Sequence, residues 1–527
     1  MLGSLKALAV ILPVGIALLL LFRGAFAERF EALSYQRLGV AWGVVTTAAF
    51  LAPSIWLYLL VLAGTTVWAT AGSPRPAAAR VTLWLGLLLA VPNVPVSIAG
   101  FGGIANLFPI SHVRALTLLL LLPAVLAPGS GEGHRRFGSL WPDWCVIGYV
   151  LLGLWLNAPH SSATALARMA FLQSLDLVLP YWALSRCLSR RGDLQAALFG
   201  LVVMAMIVAA LAVFETLKSW PLFVAVEQAW GVNWGLSIFL RRGEFLRAQG
   251  GLGHSLVMGY CMVILLGLWL WARSFVHQKW LVGLGWMVLA GGLWASLARG
   301  AWVGALLLVV LLFSLGRRPL VKLSAAAGLS AVAVLAILHL PFLEPMVRYL
   351  PFVGDIDNQN IDYRTQLLEV SLALLEQSPW FGVPGYMNYM EELRQGQGII
   401  DIVNSYIAVA LGYGLVGLSL FLGAFVGALF KLWRVRQKYG PQDEAGQLAV
   451  HLMAIVLAVM AVIATVSSIT VVPVLYWSLV GLGVGCWRLY GLQGPDAVDD
   501  DMPRTSARQR ARQKTRSFGR RPKAVFR

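Results

Sequence analysis

This 527-residue sequence is short of charge: Asp, Glu, Lys and Arg make up only 12%, against 59% hydrophobic residues and a mean hydropathy of +0.74. Soluble domains carry about 25% charged residues, so a water-soluble globule is excluded. Cysteine is scarce too. Cys145, Cys187, Cys261 and Cys486 lie in or beside apolar runs without CxxC spacing, which excludes a disulfide framework and a thiolate metal site. The apolar runs lack apolar–polar alternation, which excludes a transmembrane barrel. No small-residue cleavage site precedes Arg23, so the first 22 residues read as a span rather than a removed signal. No internal repeat relates 1–250 to 251–490.

What is present is a series of long apolar stretches. Ser255–Ala272, 280–297 and 447–466 carry almost no charge, over the roughly 18–20 residues that a helix needs to cross a ~30 Å hydrocarbon layer. The expectation is an all-α polytopic membrane protein with about 12–15 transmembrane helices. Its parts are N-terminal helices over 1–190, central helices with outer arginine loops over 191–339, and one long extracytoplasmic loop with short helices over 340–402. C-terminal helices over 403–490 and a basic tail over 491–527 complete it.

The net charge of +17 matters by its location. Arg135/Arg136, Arg190/Arg191, Arg273/Lys279, Arg317/Arg318/Lys322 and Lys431/Arg434/Arg436/Lys438 fall in alternate loops, which the positive-inside rule places in the cytoplasm. The tail has ten Lys/Arg against four Asp and too few apolar residues for a core, so it reads as a disordered cytoplasmic segment that meets anionic lipids, not nucleic acid. The 340–402 loop then lies outside, in the periplasm of a two-membrane cell. Residues 340–404 hold nine of the chain's 24 acids.

Arginines on that outer side run against the bias and need a reason. They are Arg241, Arg242, Arg247, Arg299, Arg364 and, near them, Arg168. A guanidinium is shaped for bidentate contact with phosphate, so the set points to an anionic group; pairing with the loop's own acids or with lipid phosphates is the competing explanation. Arg247-Ala-Gln-Gly-Gly-Leu-Gly-His254 brings an arginine, three glycines and a histidine to the start of a span. Ser296-Leu-Ala-Arg299-Gly-Ala-Trp302 breaks two apolar helices with an arginine that must face a polar cavity or partner. In the long loop, Tyr363, Leu367, Val370 and Leu374 recur at helical spacing over 362–377, with Leu368, Leu372 and Leu375 widening the stripe. Ser378-Pro379 ends that helix, and Arg364 lies in its first turn. Asp401 and Asn404-Ser-Tyr406 lead into the next span.

These motifs resemble those of the O-antigen ligase and O-antigen polymerase superfamily: Arg247 with Gly250 to His254, the SLARGAW segment, Tyr363-Arg364, Pro379-Trp-Phe-Gly382, Asn404-Ser-Tyr406 and Gly412-Tyr-Gly414. The resemblance covers roughly residues 190–435 and implies transfer of a glycan from an undecaprenyl diphosphate carrier to a hydroxyl, at the outer face of the bacterial inner membrane, with no metal and no cofactor. It implies diphosphate binding by Arg247, Arg299 and Arg364, and further substrate contacts by Tyr363, Asn404 and Tyr406. Ligases of the family carry a histidine just before Asn-Ser-Tyr; here that position is Val403. The general base is then Asp401 or His254, with Glu244 a further candidate and a capping role for Asp401 or His254 the structural alternative. The partners implied are the lipid-linked glycan, membrane lipids and polysaccharide assembly proteins. Ligase versus polymerase, the sugar and the acceptor stay open. So do two other classes, a lipid-linked glycan flippase and a non-catalytic component of an assembly complex.

Overall fold

Inside a bilayer a backbone has no hydrogen-bond partner but itself, so continuous apolar runs fold as helices. The computed structural model describes residues 2–100, 102, 106–127, 136–232, 234, 236, 240–316, 358–394, 400–440 and 443–492. The expected span at 321–340, the first part of the long loop and the tail beyond 492 lie outside them.

The helices are α1 (Leu2–Phe26), α2 (Tyr35–Leu51), α3 (Ile55–Thr70), α4 (Pro76–Leu87), α5 (His112–Leu126) and α6 (Trp141–Asn157). Then come α7 (Ala163–Gln173), α8 (Leu179–Arg186), α9 (Arg191–Lys218), α10 (Val224–Trp230), α11 (Ser255–Ala272) and α12 (Lys279–Ala295). The last are α13 (Arg299–Leu315), α14 (Asn358–Gln377), α15 (Ser405–Tyr439), α16 (Glu444–Val462) and α17 (Val472–Cys486). Two short antiparallel pairs interrupt them, β1 (Val96–Ala99) with β2 (Asn106–Ile110), and β3 (Arg241–Arg242) with β4 (Phe245–Leu246). Among the described residues, 6 helices are long and apolar enough to cross a membrane, and α3, α5, α12 and α13 are shorter apolar helices. The protein is an all-α polytopic membrane protein.

Burial separates core from periphery. The apolar windows of α9, α11 and the span that starts with α17 are 83%, 89% and 94% buried inside the protein, against 39% for those that start with α1 and α15. The first three therefore form the centre, and the outer two offer apolar side chains to lipid. Phe199 of α9 stacks on Phe26 at 4.6 Å and on Trp271 of α11 at 5.1 Å, which ties α1 to that centre.

The two ends of the bundle differ. At one end, polar side chains lock helix termini together: Arg75 pairs with Asp193 at 2.8 Å, Arg186 with Asp143 at 2.6 Å, and Arg436 donates to the Leu315 carbonyl at 2.8 Å. The starts of α11, α13, α15 and α17 lie at the opposite end, and there the long loop docks.

That docking rests on a broken helix. Gly414 of α15 has φ 65° and ψ −170°, a conformation open almost only to glycine. The Pro379–Val383 turn fills the break: Leu415 N–H donates to Pro379 O at 2.8 Å, Val416 N–H to Trp380 O at 3.1 Å, and Val383 N–H to Leu411 O at 2.7 Å. A Cβ on Gly414 would lie 2.2 Å from the Trp380 backbone, and one on Gly382 would lie 2.4 Å from the Leu411 carbonyl. The two glycine-bearing motifs of the sequence are thus the halves of one joint. Above it, Leu367 and Leu374 of α14 pack with Met390, Leu393, Ile400, Ile402 and Leu411 in a separate small core. The expected helix begins at Asn358 rather than 362 and buries only the narrow stripe, because Leu368 and Leu372 point outward.

Gly414→Ala is expected to cut the amount of full-length protein in the membrane severalfold and to lower its melting temperature, through strain of about 1–3 kcal/mol plus the clash. Gly24→Ala, in α1 where an added Cβ meets nothing within 4 Å, is expected to leave both unchanged. Equal behaviour of the two variants on membrane immunoblots and in melting curves would refute the joint.

Candidate functional site

A buried carboxylate builds the arginine loop. Glu215, near the end of α9, is almost fully buried and accepts from Leu222 N–H and Gly250 N–H, each at 2.9 Å. A second, Glu227 of α10, accepts from Trp234 N–H at 2.7 Å and Leu236 N–H at 2.9 Å. Between these anchors the β3–β4 hairpin carries Arg241 and Arg242, and the chain then lies along the turn that joins α12 to α13. Ala248 N–H donates to Ala295 O at 2.9 Å, Arg242 Nη1 to Leu297 O at 2.6 Å, and Arg247 Nε to Ser296 O at 3.5 Å.

The turn itself is strained and self-braced. Leu297 has φ 46°, a left-handed value rare for a branched side chain. Ser296 Oγ donates to Leu293 O at 2.7 Å and Trp302 Nε1 to the same carbonyl at 3.1 Å. Gly259 of α11 lets the turn come close, since a Cβ there would meet Ala301 at 2.7 Å and Ala298 at 2.9 Å. Arg299 begins α13, and the next residue, Gly300, abuts Thr465 in the α16–α17 turn.

That turn holds the third piece. Ser405, the first residue of α15, donates its N–H to Ile463 O at 2.9 Å and its hydroxyl to Val466 O at 2.9 Å, while Ser468 Oγ donates to Ser405 Oγ at 2.7 Å. Ser467 Oγ donates to Asp401 Oδ1. From the long loop, the Tyr363 hydroxyl donates to Asp401 O at 3.0 Å and accepts from Asp401 N–H at 3.1 Å. Asp401 is therefore held by the backbone from α14 and by its carboxylate from the α16–α17 turn.

His254 joins the pieces. Its imidazole feels both Arg247 and Asp401, and its pKa is lowered by burial first and by Arg247 second, with Asp401 opposing. Leu256 N–H donates to Nδ1 at 3.1 Å, which makes His254 the cap of α11 and leaves the proton of the neutral ring on Nε2. Burial, with Arg242 nearby, pushes the Arg247 guanidinium down to about 10, still charged at neutral pH. The starts of α11, α13 and α15 all meet here, so three positive helix ends add to the arginines. Among the described residues no three His, Cys, Asp or Glu side chains gather as a metal cradle.

The other expected site residues sit as follows. Asn404 caps α15, accepting from Tyr406 N–H at 2.9 Å and Ile407 N–H at 3.2 Å, and Tyr406 donates to Met460 O at 2.6 Å. Arg364 is exposed on α14, and among the described residues no contact joins it to Arg247 or Arg299. Glu244 is exposed in the hairpin turn. Arg168 is engaged by the carbonyls of Asn106 and Leu107. Glu215, Ser467 and Ser468 were missed from sequence; the available signal was an acid inside an apolar run and a polar Ser-Ser between two spans.

Residues 284–422 match the family model of O-antigen ligase. Over this stretch the chain is similar to O-antigen ligases. The matched segment contains Arg299, Tyr363, Arg364, the two-glycine joint, Asp401, Asn404 and Tyr406, while Arg247 and His254 precede it. No curated protein matches the chain.

Because folded His254 resists a proton that the unfolded chain accepts below about pH 6.5, stability is full above that value and falls as pH drops through the depressed folded one. Melting temperature is expected to drop between pH 7.5 and pH 5, about those values bracketing the histidine range. His254→Asn, which keeps a capping acceptor and does not titrate, is expected to show a smaller drop. Equal drops in both would refute the assignment.

Proposed function

We propose that this O-antigen ligase-like protein transfers a glycan from an undecaprenyl diphosphate carrier to a hydroxyl acceptor at the outer face of the bacterial inner membrane. The observation that carries the reading is that the segments bearing Arg247, Arg299 and Asp401 meet at the starts of α11, α13 and α15: Arg247 lies on Ser296 O, Gly300 abuts Thr465, and Ser467 donates to Asp401. Such a site suits a diphosphate, whose charge grows as it leaves the anomeric carbon.

In the proposed step, the bond from the anomeric carbon to the diphosphate oxygen breaks and its electron pair leaves with the diphosphate. Arg247 and Arg299 stabilise that charge, and Arg364, which is exposed on α14 and stands apart from both, meets the diphosphate only once the carrier is bound. The acceptor oxygen bonds to the anomeric carbon while its proton passes to Asp401. His254, with its proton on Nε2, donates a hydrogen bond to the diphosphate or to the acceptor oxygen and is not the base. Tyr363, Asn404 and Tyr406 act by holding Asp401 and the start of α15 in place. Orientation follows the basic loops: the locked end of the bundle faces the cytoplasm and the site faces outward.

The test is surface polysaccharide in cells expressing each variant at wild-type level. Arg247→Ala, Arg299→Ala and Arg364→Ala are each expected to lower polymer by about a hundredfold or more, and Asp401→Asn by about 10²–10⁴. Carrier-linked glycan is expected to accumulate in the outer leaflet. Accumulation in the inner leaflet would instead indicate a flippase, and unchanged polymer in all the arginine variants would overturn the reading.

A further inference from the structure

A cavity of about 400 Å³ opens between α6, α7 and the α15–α17 pair, outside the arginine cluster. That is within the roughly 300–1,000 Å³ of small-molecule sites. It lies at the same end of the bundle as Asp401. Tyr413, which lines it, is eight residues into α15 from Ser405, about 12 Å at 1.5 Å per residue. Another lining residue, Tyr476 of α17, interacts with Ser468, which bonds to Ser405. Polar side chains thus lie between the cavity wall and the turn that grips Asp401.

The chemistry of the walls selects a ligand. Tyr149 stacks on Tyr413 at 4.7 Å and lies 5.7 Å from Trp477, forming an aromatic surface. Facing it, Gln173 donates from Nε2 to the Tyr413 hydroxyl at 3.3 Å, but its Oε1 is buried and has no hydrogen-bond partner. If the amide is turned over, a donor is orphaned instead, so one polar atom always awaits a partner. An aliphatic chain would leave it unsatisfied. A phosphate is equally disfavoured, because both nearby cations are engaged: Arg168 holds the Asn106 and Leu107 carbonyls, and Arg114 makes a bidentate pair with Asp176, 2.7 Å at its shortest. Asp176, also on the wall, adds a carboxylate acceptor. A neutral ring with an apolar C–H face and a rim of hydroxyls meets every one of these demands.

We propose that this cavity binds a pyranose ring of the acceptor glycan. It presents the acceptor hydroxyl towards Asp401, across the α16–α17 turn from the diphosphate site. The acceptor role rests on the glycosyl-transfer reading; the sugar chemistry of the cavity does not.

The experiment uses the full chain in lipid nanodiscs with the methyl glycosides of glucose, galactose, mannose and N-acetylglucosamine as probes, contact being read by saturation-transfer NMR. At least one probe is expected to receive saturation in the wild type and equally in Arg247→Ala. In Gln173→Leu the transfer is expected to fall by about fivefold or more, the worth of about one hydrogen bond. Tyr413→Phe, which keeps the ring stack, is expected to lower it as well. Since Gln173→Leu removes an orphaned buried atom, its melting temperature without sugar is expected to equal or exceed that of the wild type. No saturation from any probe in the wild type, undiminished transfer in both variants, or a lowered melting temperature with undiminished transfer would overturn the proposal. If polymer persists in Arg247→Ala and Asp401→Asn while sugar contact is lost in Gln173→Leu, the glycosyl-transfer reading falls and the sugar site stands.

Discussion

Backbone that leaves helical geometry inside an apolar bundle must find other hydrogen-bond partners, and the organisation of the open end of this protein follows from that demand. The α16–α17 turn is satisfied by Ser405 of α15, and the break at Gly414 by the carbonyls of Pro379 and Trp380. The α12–α13 turn is satisfied by the arginine loop, through Ala248 and Arg242. Each irregular segment completes another, so none of them is shaped alone.

The same pairing explains why charge is tolerated there. Arg247 rests on the Ser296 carbonyl, Glu215 accepts from two backbone N–H groups, and Asp401 is held by Ser467 and Tyr363. A buried ionic group without such partners costs several kcal/mol. With them, the charges stand fixed before any ligand arrives, which is the condition for stabilising charge that develops in a reaction. Holding Asp401 from both the long loop and the helix bundle also couples loop docking to the site: the Gly382–Gly414 joint sets where α14 lies, and α14 carries Tyr363.

Much of this was legible in residues 340–404. The helical stripe, its end at Ser378-Pro379 and the entry at Asn404 follow from local spacing and capping preferences, which depend on near neighbours along the chain. The arginines stood out because they oppose the charge bias of membrane loops. The pairing of Pro379-Trp-Phe-Gly with Gly412-Tyr-Gly was not legible as a joint, because hydrogen bonds between segments about thirty residues apart leave no periodic signal. Nor was the service of Tyr363 to Asp401, while the capping role left open between Asp401 and His254 falls to His254 Nδ1.

The sequence by itself determined the class: apolar run length and charge asymmetry decide that the chain spans a membrane as helices and which loops share a side, since both act through the bilayer as solvent. Only the tertiary structure brought Arg247 and Asp401 within electrostatic reach of His254, and set Tyr149, Gln173 and Tyr413 around a separate cavity. The reason is physical. Such groups come together through helix packing and turn-to-turn hydrogen bonds between distant segments, and those are set by the whole bundle rather than by any stretch of it.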